Sequence, residues 1–115
     1  MNEILQRKTR QYLVHSFLYY QLGESIISDY QYDIICNEIL KCFRNNHQDY
    51  LLPYKDILTT SLSEDASGFS IRKFPAEIIS SAMHLLYQHN YCKSLSFEDF
   101  LARFGYNLIE IQNNA

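Results

Sequence analysis

Five side chains in one short stretch of this sequence have the types and spacing to recognise a charged aromatic ligand. Tyr19 and Tyr20 are adjacent, and Asp29, Tyr32 and Asp33 follow after a short linker. Residues three and four apart share one face of a helix, so the last three would project together from a helical first turn. Tyrosine rings attract a cation such as a pyridinium, and carboxylates accept hydrogen bonds from ribose hydroxyls or a carboxamide. These five residues are the predicted ligand-binding residues.

A purely structural interpretation of the same residues is also open. Aspartates in the first turn of a helix complement the helix dipole whether or not they bind a ligand. Tyrosines on neighbouring helices can simply pack against each other.

A long helix is predicted before the linker, over residues 2–21. This stretch contains no Gly or Pro, and Leu13, Phe17 and Tyr20 recur at helical spacing. Gly23 can adopt the positive φ of a helix C-cap, so the helix is expected to end there.

A second helix is predicted to begin just after the linker. Ser28 followed by Gln31 forms a capping box, in which each residue satisfies a free backbone N–H of the first turn. The apolar stripe of this helix consists of Tyr32, Cys36, Ile39 and Phe43, with Ile35 and Leu40 beside it. The helix is expected to fray near residues 45–46. A short linker between two helices predicts a tight hairpin that brings the tyrosines and carboxylates to one end.

The rest of the chain predicts further helices and an exposed loop. A short helix can follow Pro53, and residues 63–70 have the composition of an exposed loop. Pro75 suits the first position of a helix that runs to about His89. A last helix is expected to start at Ser96 and to stop at Gly105, and residues 106–115 fit either a short strand or an ordered tail.

The expected fold is therefore a mainly α-helical, small single-domain bundle of four to five helices built on a helical hairpin. A chain of 115 residues fits one domain, here 1–115. Within it we expect a hairpin over 3–44, a connecting region over 45–74, C-terminal helices over 75–105 and a tail over 106–115.

Charge and composition exclude several classes of function. Ten basic and thirteen acidic residues give a net charge of −3, so duplex DNA binding by the chain alone is not expected. No apolar run has membrane length and the first residues lack a signal peptide, which predicts a cytoplasmic protein with no membrane association. Cys36, Cys42 and Cys92 contain no C-x-x-C pair and are expected to be reduced, buried thiols. No recognisable metal-ligand spacing is present, so no bound metal is expected.

The stretch YYQLGESIISDYQYDIICNEIL resembles the N-terminal module of bacterial NAD-dependent DNA ligases. That module carries a Tyr-Tyr or Tyr-His pair, a short linker ending in Ser or Pro, then Asp-x-x-Tyr-Asp and a Leu-rich helix. The matching residues here, which need no gap, are Tyr19, Tyr20, Ser28, Asp29, Tyr32 and Asp33, followed by Glu38 and Leu40. The match covers residues 3–44, which is under half of the chain.

The resemblance implies a ligand and a role for each matching residue. In that family the module holds the nicotinamide mononucleotide half of NAD, while another domain takes the adenylate. By this resemblance Tyr19 and Tyr32 would contact the nicotinamide, and Tyr20 would occupy the second aromatic position. Asp29 and Asp33 would hold the ribose and the amide. Nicotinamide mononucleotide or NAD is thus the expected, weakly bound ligand.

Catalysis is not expected. The ligases transfer adenylate to the lysine of a Lys-x-Asp-Gly motif, and no lysine of this chain begins such a motif. The leading hypothesis is a non-catalytic nucleotide-recognition or interaction module.

The sequence leaves two further hypotheses open. Short stand-alone relatives of the ligase module are typical of phages and mobile elements. This implies, as one alternative, a phage protein acting in the host cytosol that binds and inhibits a host enzyme or a defence complex, in the manner of an anti-CRISPR protein. The other alternative is an accessory subunit of a split ligase.

Overall fold

The computed structural model describes residues 3–45, 54–64, 71 and 73–112. All regular structure within these residues is helical. The helices are α1 (Glu3–Ser16), α2 (Asp29–Asn45), α3 (Lys55–Glu64), α4 (Ala76–Leu86), α5 (Phe97–Arg103) and α6 (Leu108–Gln112). Two π-helical segments extend longer helices: the first π segment, Phe17–Leu22, continues α1, and the second π segment, Tyr87–Tyr91, continues α4. The mainly α-helical, single-unit fold predicted from the sequence is confirmed, with more helices than the expected four to five.

The predicted hairpin is formed by α1 and α2, and its two caps are those that the sequence indicates. Gly23 has φ +67° and its N–H donates to the Leu18 carbonyl, which ends the first helical rod. The Ser28 N–H donates to Gln31 Oε1 at 2.9 Å, and the Gln31 N–H donates to Ser28 Oγ at 3.1 Å. This reciprocal capping box starts α2, because it satisfies two backbone donors that the first turn leaves free.

The first π segment changes which side chains of the first rod face the core. An α-helical register places Tyr20 on the same face as Leu13 and Phe17. The bond from the Gly23 N–H to the carbonyl five residues back shows that the backbone is wound more widely here. Leu18 is 1% exposed, and Tyr20 lies at the boundary of the core at 36% exposure. The predicted continuous α-helical face is therefore wrong at Tyr20, which lies within the π segment.

The core lies between the hairpin and the C-terminal half, with α4 packed against α1, the first π segment and α6. The α2 stripe is confirmed at Tyr32, Cys36 and Ile39, while the predicted Phe43 side chain lies outside the described residues. The buried apolar side chains are Tyr12, Leu13, Val14, Phe17, Leu18, Tyr32, Ile35, Cys36, Ile39, Leu58, Ile71, Phe74, Ile78, Ala82, Met83, Leu86, Phe100, Leu101 and Ile111.

The C-terminal half follows the sequence signals closely up to Gly105. Pro75 caps α4 with ψ 143° and is not its first residue, which is a shift of one position from the prediction. Ser96 Oγ accepts from the Asp99 N–H at 3.1 Å at the start of α5. Gly105 has φ +83° after the end of α5, as expected for a left-handed C-cap residue.

The short helix α6 replaces both conformations expected for the last segment. Asn107 Oδ1 accepts from the Glu110 N–H at 2.8 Å, which caps the helix start. Ser80 Oγ on α4 donates to the Ile111 carbonyl at 3.2 Å, and both residues are buried. Tertiary packing on α4 therefore stabilises a helix too short to form alone.

Two remaining expectations concern the middle of the chain and membranes. The predicted short helix after Pro53 is α3, whereas residues 65–70 of the predicted exposed loop lie outside the described residues. No helix in the described parts of the chain is long and apolar enough to span a bilayer.

Candidate functional site

The first π segment presents two tyrosine rings to solvent at the end of the hairpin. Tyr19 and Tyr20 are 37% and 36% exposed. Their ring centroids lie 4.8 Å apart with an angle of 33° between the ring planes. The side chains are thus held against each other and still keep accessible ring surface.

Tyr32 lies beneath this pair and is held from the core side. It is only 4% exposed, and its hydroxyl lies 2.7 Å from Ser16 Oγ. Its ring meets Tyr19 at 5.6 Å and 76°, and Tyr20 at 6.2 Å and 71°, both edge-to-face arrangements. Edge-to-face contacts are favourable for aromatic rings, so Tyr32 supports the exposed pair from below.

The two carboxylates come from the start of α2, one helical turn apart. Asp29 and Asp33 are both exposed. The negative charge of Asp29 raises the pKa of the Tyr19 hydroxyl, and partial burial, the neighbouring Tyr20, a hydrogen bond to Asp29 and the charge of Asp33 raise it further. The upward shift of this pKa means that the surroundings favour the neutral, protonated form of Tyr19.

The structure thus brings all five predicted residues together. We call Tyr19, Tyr20, Asp29, Tyr32 and Asp33 the tyrosine–carboxylate cluster. Every group that shifts the pKa of Tyr19 raises it, so the local field at this hydroxyl is negative. Half-exposed rings in a negative field suit a flat cation, which would be attracted both to the ring faces and to the carboxylates.

Comparison of the chain with protein-family models, with curated proteins and with solved structures finds no match. The resemblance to the ligase module therefore stays a prediction carried by the residues of the hairpin.

Outside this cluster, one histidine has structural surroundings. His84 Nδ1 lies 2.8 Å from the Ser80 carbonyl, and its ring packs 4.7 Å from Phe97. None of the three cysteines forms a disulfide. Cys36 is buried as expected, but Cys42 is only half-buried, and the expectation is wrong for Cys92, which is exposed after the second π segment. Within the described residues no group of three or more His, Cys, Asp or Glu side chains could hold a metal ion.

The C-terminal phenylalanines are core residues. Phe100 is fully buried, and Phe97 and Phe104 are partly buried against the core.

Two groups near the cluster were missed by sequence reasoning. Ser16 anchors the Tyr32 hydroxyl, and it could have been noticed because it lies one turn before the tyrosine pair on the same rod. The Tyr91 hydroxyl donates to Glu24 Oε1 in the linker across 67 positions of sequence. A single sequence contains no signal for a contact of that separation.

The negative field at Tyr19 gives a prediction that needs no ligand. Asp29→Asn is expected to lower the pKa of Tyr19 toward its ordinary value of about 10, because the largest cause of the upward shift is removed. The titration of the Tyr19 ring carbon bearing the hydroxyl can be followed by NMR. Asp56→Asn on α3 is the matched control and should leave the midpoint unchanged. An unchanged midpoint in Asp29→Asn would mean that the two side chains are not in contact.

Proposed function

We propose that this chain is a non-catalytic recognition module for the nicotinamide mononucleotide part of NAD. The observation that carries the proposal is the convergence of two half-exposed tyrosine rings with the carboxylates of α2, whose negative charges raise the pKa of the Tyr19 hydroxyl. The resemblance of residues 3–44 to the ligase module supports the same ligand.

Each residue of the tyrosine–carboxylate cluster has a defined part in this proposal. The pyridinium ring lies against the exposed faces of Tyr19 and Tyr20, where a cation–π interaction stabilises its charge. Asp29 and Asp33 accept hydrogen bonds from the ribose hydroxyls and the carboxamide, and a charged acceptor strengthens these bonds. The resemblance implied a nicotinamide contact for Tyr32, but this side chain is only 4% exposed. In the proposal Tyr32 therefore acts from below, by fixing the two rings in edge-to-face contact.

The module is expected to bind weakly and to carry out no reaction. The sequence has no Lys-x-Asp-Gly motif, so it lacks the nucleophile for adenylate transfer. In this proposal the chain also contacts only half of NAD. We therefore expect a dissociation constant in the micromolar to millimolar range, which corresponds to a binding free energy of about 4–8 kcal/mol.

The test is an NMR titration of the labelled protein with nicotinamide mononucleotide. Signals of Tyr19, Tyr20, Asp29 and Asp33 are expected to move in a saturable manner, and AMP, which has no pyridinium, is the control ligand. The absence of any shift at millimolar nicotinamide mononucleotide would overturn the proposal.

A second candidate function, binding to a protein partner, is favoured by a different surface. Tyr30 is 74% exposed and Ile34 is 40% exposed. They lie one turn apart on α2, which places them on one face. An exposed tyrosine with an aliphatic neighbour is typical of an interface residue pair, and such a surface would suit an inhibitor of a host enzyme or defence complex. Tyr30→Ser with Ile34→Ser should then abolish capture of that partner and leave binding of nicotinamide mononucleotide unchanged.

A further inference from the structure

The hydrogen bond between Tyr91 and Glu24 joins the C-terminal half of the chain to the linker of the hairpin. The Tyr91 hydroxyl donates to Glu24 Oε1. Glu24 follows Gly23 directly, and its own N–H donates to the Leu18 carbonyl at 2.9 Å. The carboxylate is therefore attached to the turn that ends the first π segment, which is the segment that carries Tyr19 and Tyr20.

Tyr91 is itself held in place by α5. Its ring centroid lies 5.0 Å from that of Phe100 and 6.1 Å from that of Phe104. The Arg103 guanidinium lies 6.0 Å from the same ring centroid. The contacts with Phe100 and Phe104 therefore attach the half-buried Tyr91 ring to α5.

The charges around Tyr91 keep its hydroxyl a donor. The hydrogen bond to Glu24 is the largest cause of a raised pKa for Tyr91, burial adds to it, and Arg103 acts in the opposite direction. A neutral phenol donating to a carboxylate is a charge-assisted bond, which is stronger than one between neutral groups.

The geometry of the first π segment gives this bond a consequence for the tyrosine–carboxylate cluster. Tyr20 belongs to the widely wound segment that ends at Gly23, and it lies at the boundary of the core. Rewinding the segment to a regular α-helix would turn Tyr20 back toward the face of Leu13 and Phe17. A restraint on Glu24 opposes that rewinding, since Glu24 is the first residue after the turn.

We propose that Glu24 and Tyr91 are positioning residues for the tyrosine–carboxylate cluster, because their hydrogen bond fixes the turn that presents Tyr19 and Tyr20 to Asp29 and Asp33. Neither residue contacts the ligand in this arrangement. The inference rests on the proposed function for its effect on affinity, but its effect on the ligand-free cluster is independent of that function. Through this bond, the C-terminal half of the chain helps to hold Tyr19 and Tyr20 in position.

The experiment compares Tyr91→Phe with Tyr87→Phe in the full chain. Both variants remove one tyrosine hydroxyl of the second π segment, and the Tyr87 hydroxyl donates to the Leu95 carbonyl at 2.7 Å, away from the linker. We expect Tyr91→Phe to weaken binding of nicotinamide mononucleotide on the order of fivefold, whereas Tyr87→Phe leaves it unchanged. The midpoint of thermal unfolding should fall in both variants, since each loses one hydrogen bond.

Two further measurements separate positioning from a general loss of stability. In the ligand-free protein, the amide signals of Tyr19 and Tyr20 should shift in Tyr91→Phe and not in Tyr87→Phe. The double variant Glu24→Ala with Tyr91→Phe should lose no more affinity than Glu24→Ala alone, because the two residues act through one bond.

Each outcome decides one of the two proposals. Equal affinity in Tyr91→Phe and Tyr87→Phe, with the wild type binding normally, would overturn the positioning role and leave the proposed function intact. Absence of binding by the wild type would overturn the proposed function, and the ligand-free amide shifts would still decide the positioning role. Unshifted Tyr19 and Tyr20 amides in Tyr91→Phe would overturn it.

Discussion

Replacing Asp33 with asparagine is expected to weaken binding of nicotinamide mononucleotide by roughly ten- to a hundredfold. A hydrogen bond to a charged group contributes about 1.5–3 kcal/mol, and the asparagine keeps the shape of the side chain while removing its charge. The charge of Asp29 is the largest cause of the raised pKa of the Tyr19 hydroxyl, whereas the charge of Asp33 is the smallest. The Asp33 carboxylate is therefore the one whose loss disturbs the ligand-free cluster least. Titration calorimetry or NMR shift titration gives the affinities.

The controls for Asp33→Asn separate charge recognition from loss of fold. Asp56→Asn makes the same chemical change at an exposed position of α3 and should not alter affinity. The reduced form of nicotinamide mononucleotide has an uncharged ring but keeps the ribose hydroxyls and the carboxamide, so it should bind the wild type more weakly and still lose affinity in Asp33→Asn. Equal affinity of the wild type for the oxidised and reduced ligands would contradict recognition of ring charge, and an unchanged affinity of Asp33→Asn for both ligands would exclude Asp33 from the site.

The parts of the fold that local chemistry determines could be predicted from the sequence. The capping box at Ser28 and Gln31 and the left-handed C-cap at Gly23 each depend on residues close in sequence, and both are observed as expected. The same holds for Ser96 and Gly105 at the ends of α5. Because the two hairpin caps fix a short linker, the meeting of the tyrosines with the aspartates was predictable as well.

The parts that depend on distant residues could not be predicted. No residue type in Phe17–Leu22 indicates that the helix widens there, and the widening changes the face on which Tyr20 lies. The burial of Tyr32 depends on Ser16 and on the rings above it, so spacing alone could not distinguish a support from a ligand contact. The bond from Tyr91 to Glu24 joins two elements whose relative placement only the packed core determines.

The largest effect on stability is expected for Phe100→Ala, which should lower the free energy of unfolding by about 3–5 kcal/mol. Phe100 is fully buried, and its ring lies 5.3 Å from Tyr87, 5.0 Å from Tyr91 and 5.3 Å from Phe104. Truncation to alanine removes both the buried ring and its aromatic contacts, and rigid neighbouring rings can close over the space only in part. Small domains have a total stability of about 5–15 kcal/mol, so this single change could remove a large share of it.

Urea denaturation followed by circular dichroism measures the effect of Phe100→Ala. Ile109→Ala is the control on α6, where the side chain is 72% exposed, and its effect should stay within about 0.5 kcal/mol. A loss below about 1 kcal/mol for Phe100→Ala would mean that the surrounding rings collapse into the space with little cost.

The same substitution also tests the link between the two halves of the chain. Phe100 holds the ring whose hydroxyl restrains Glu24, so the amide signals of Tyr19 and Tyr20 should move in the folded Phe100→Ala protein and stay in place in Ile109→Ala.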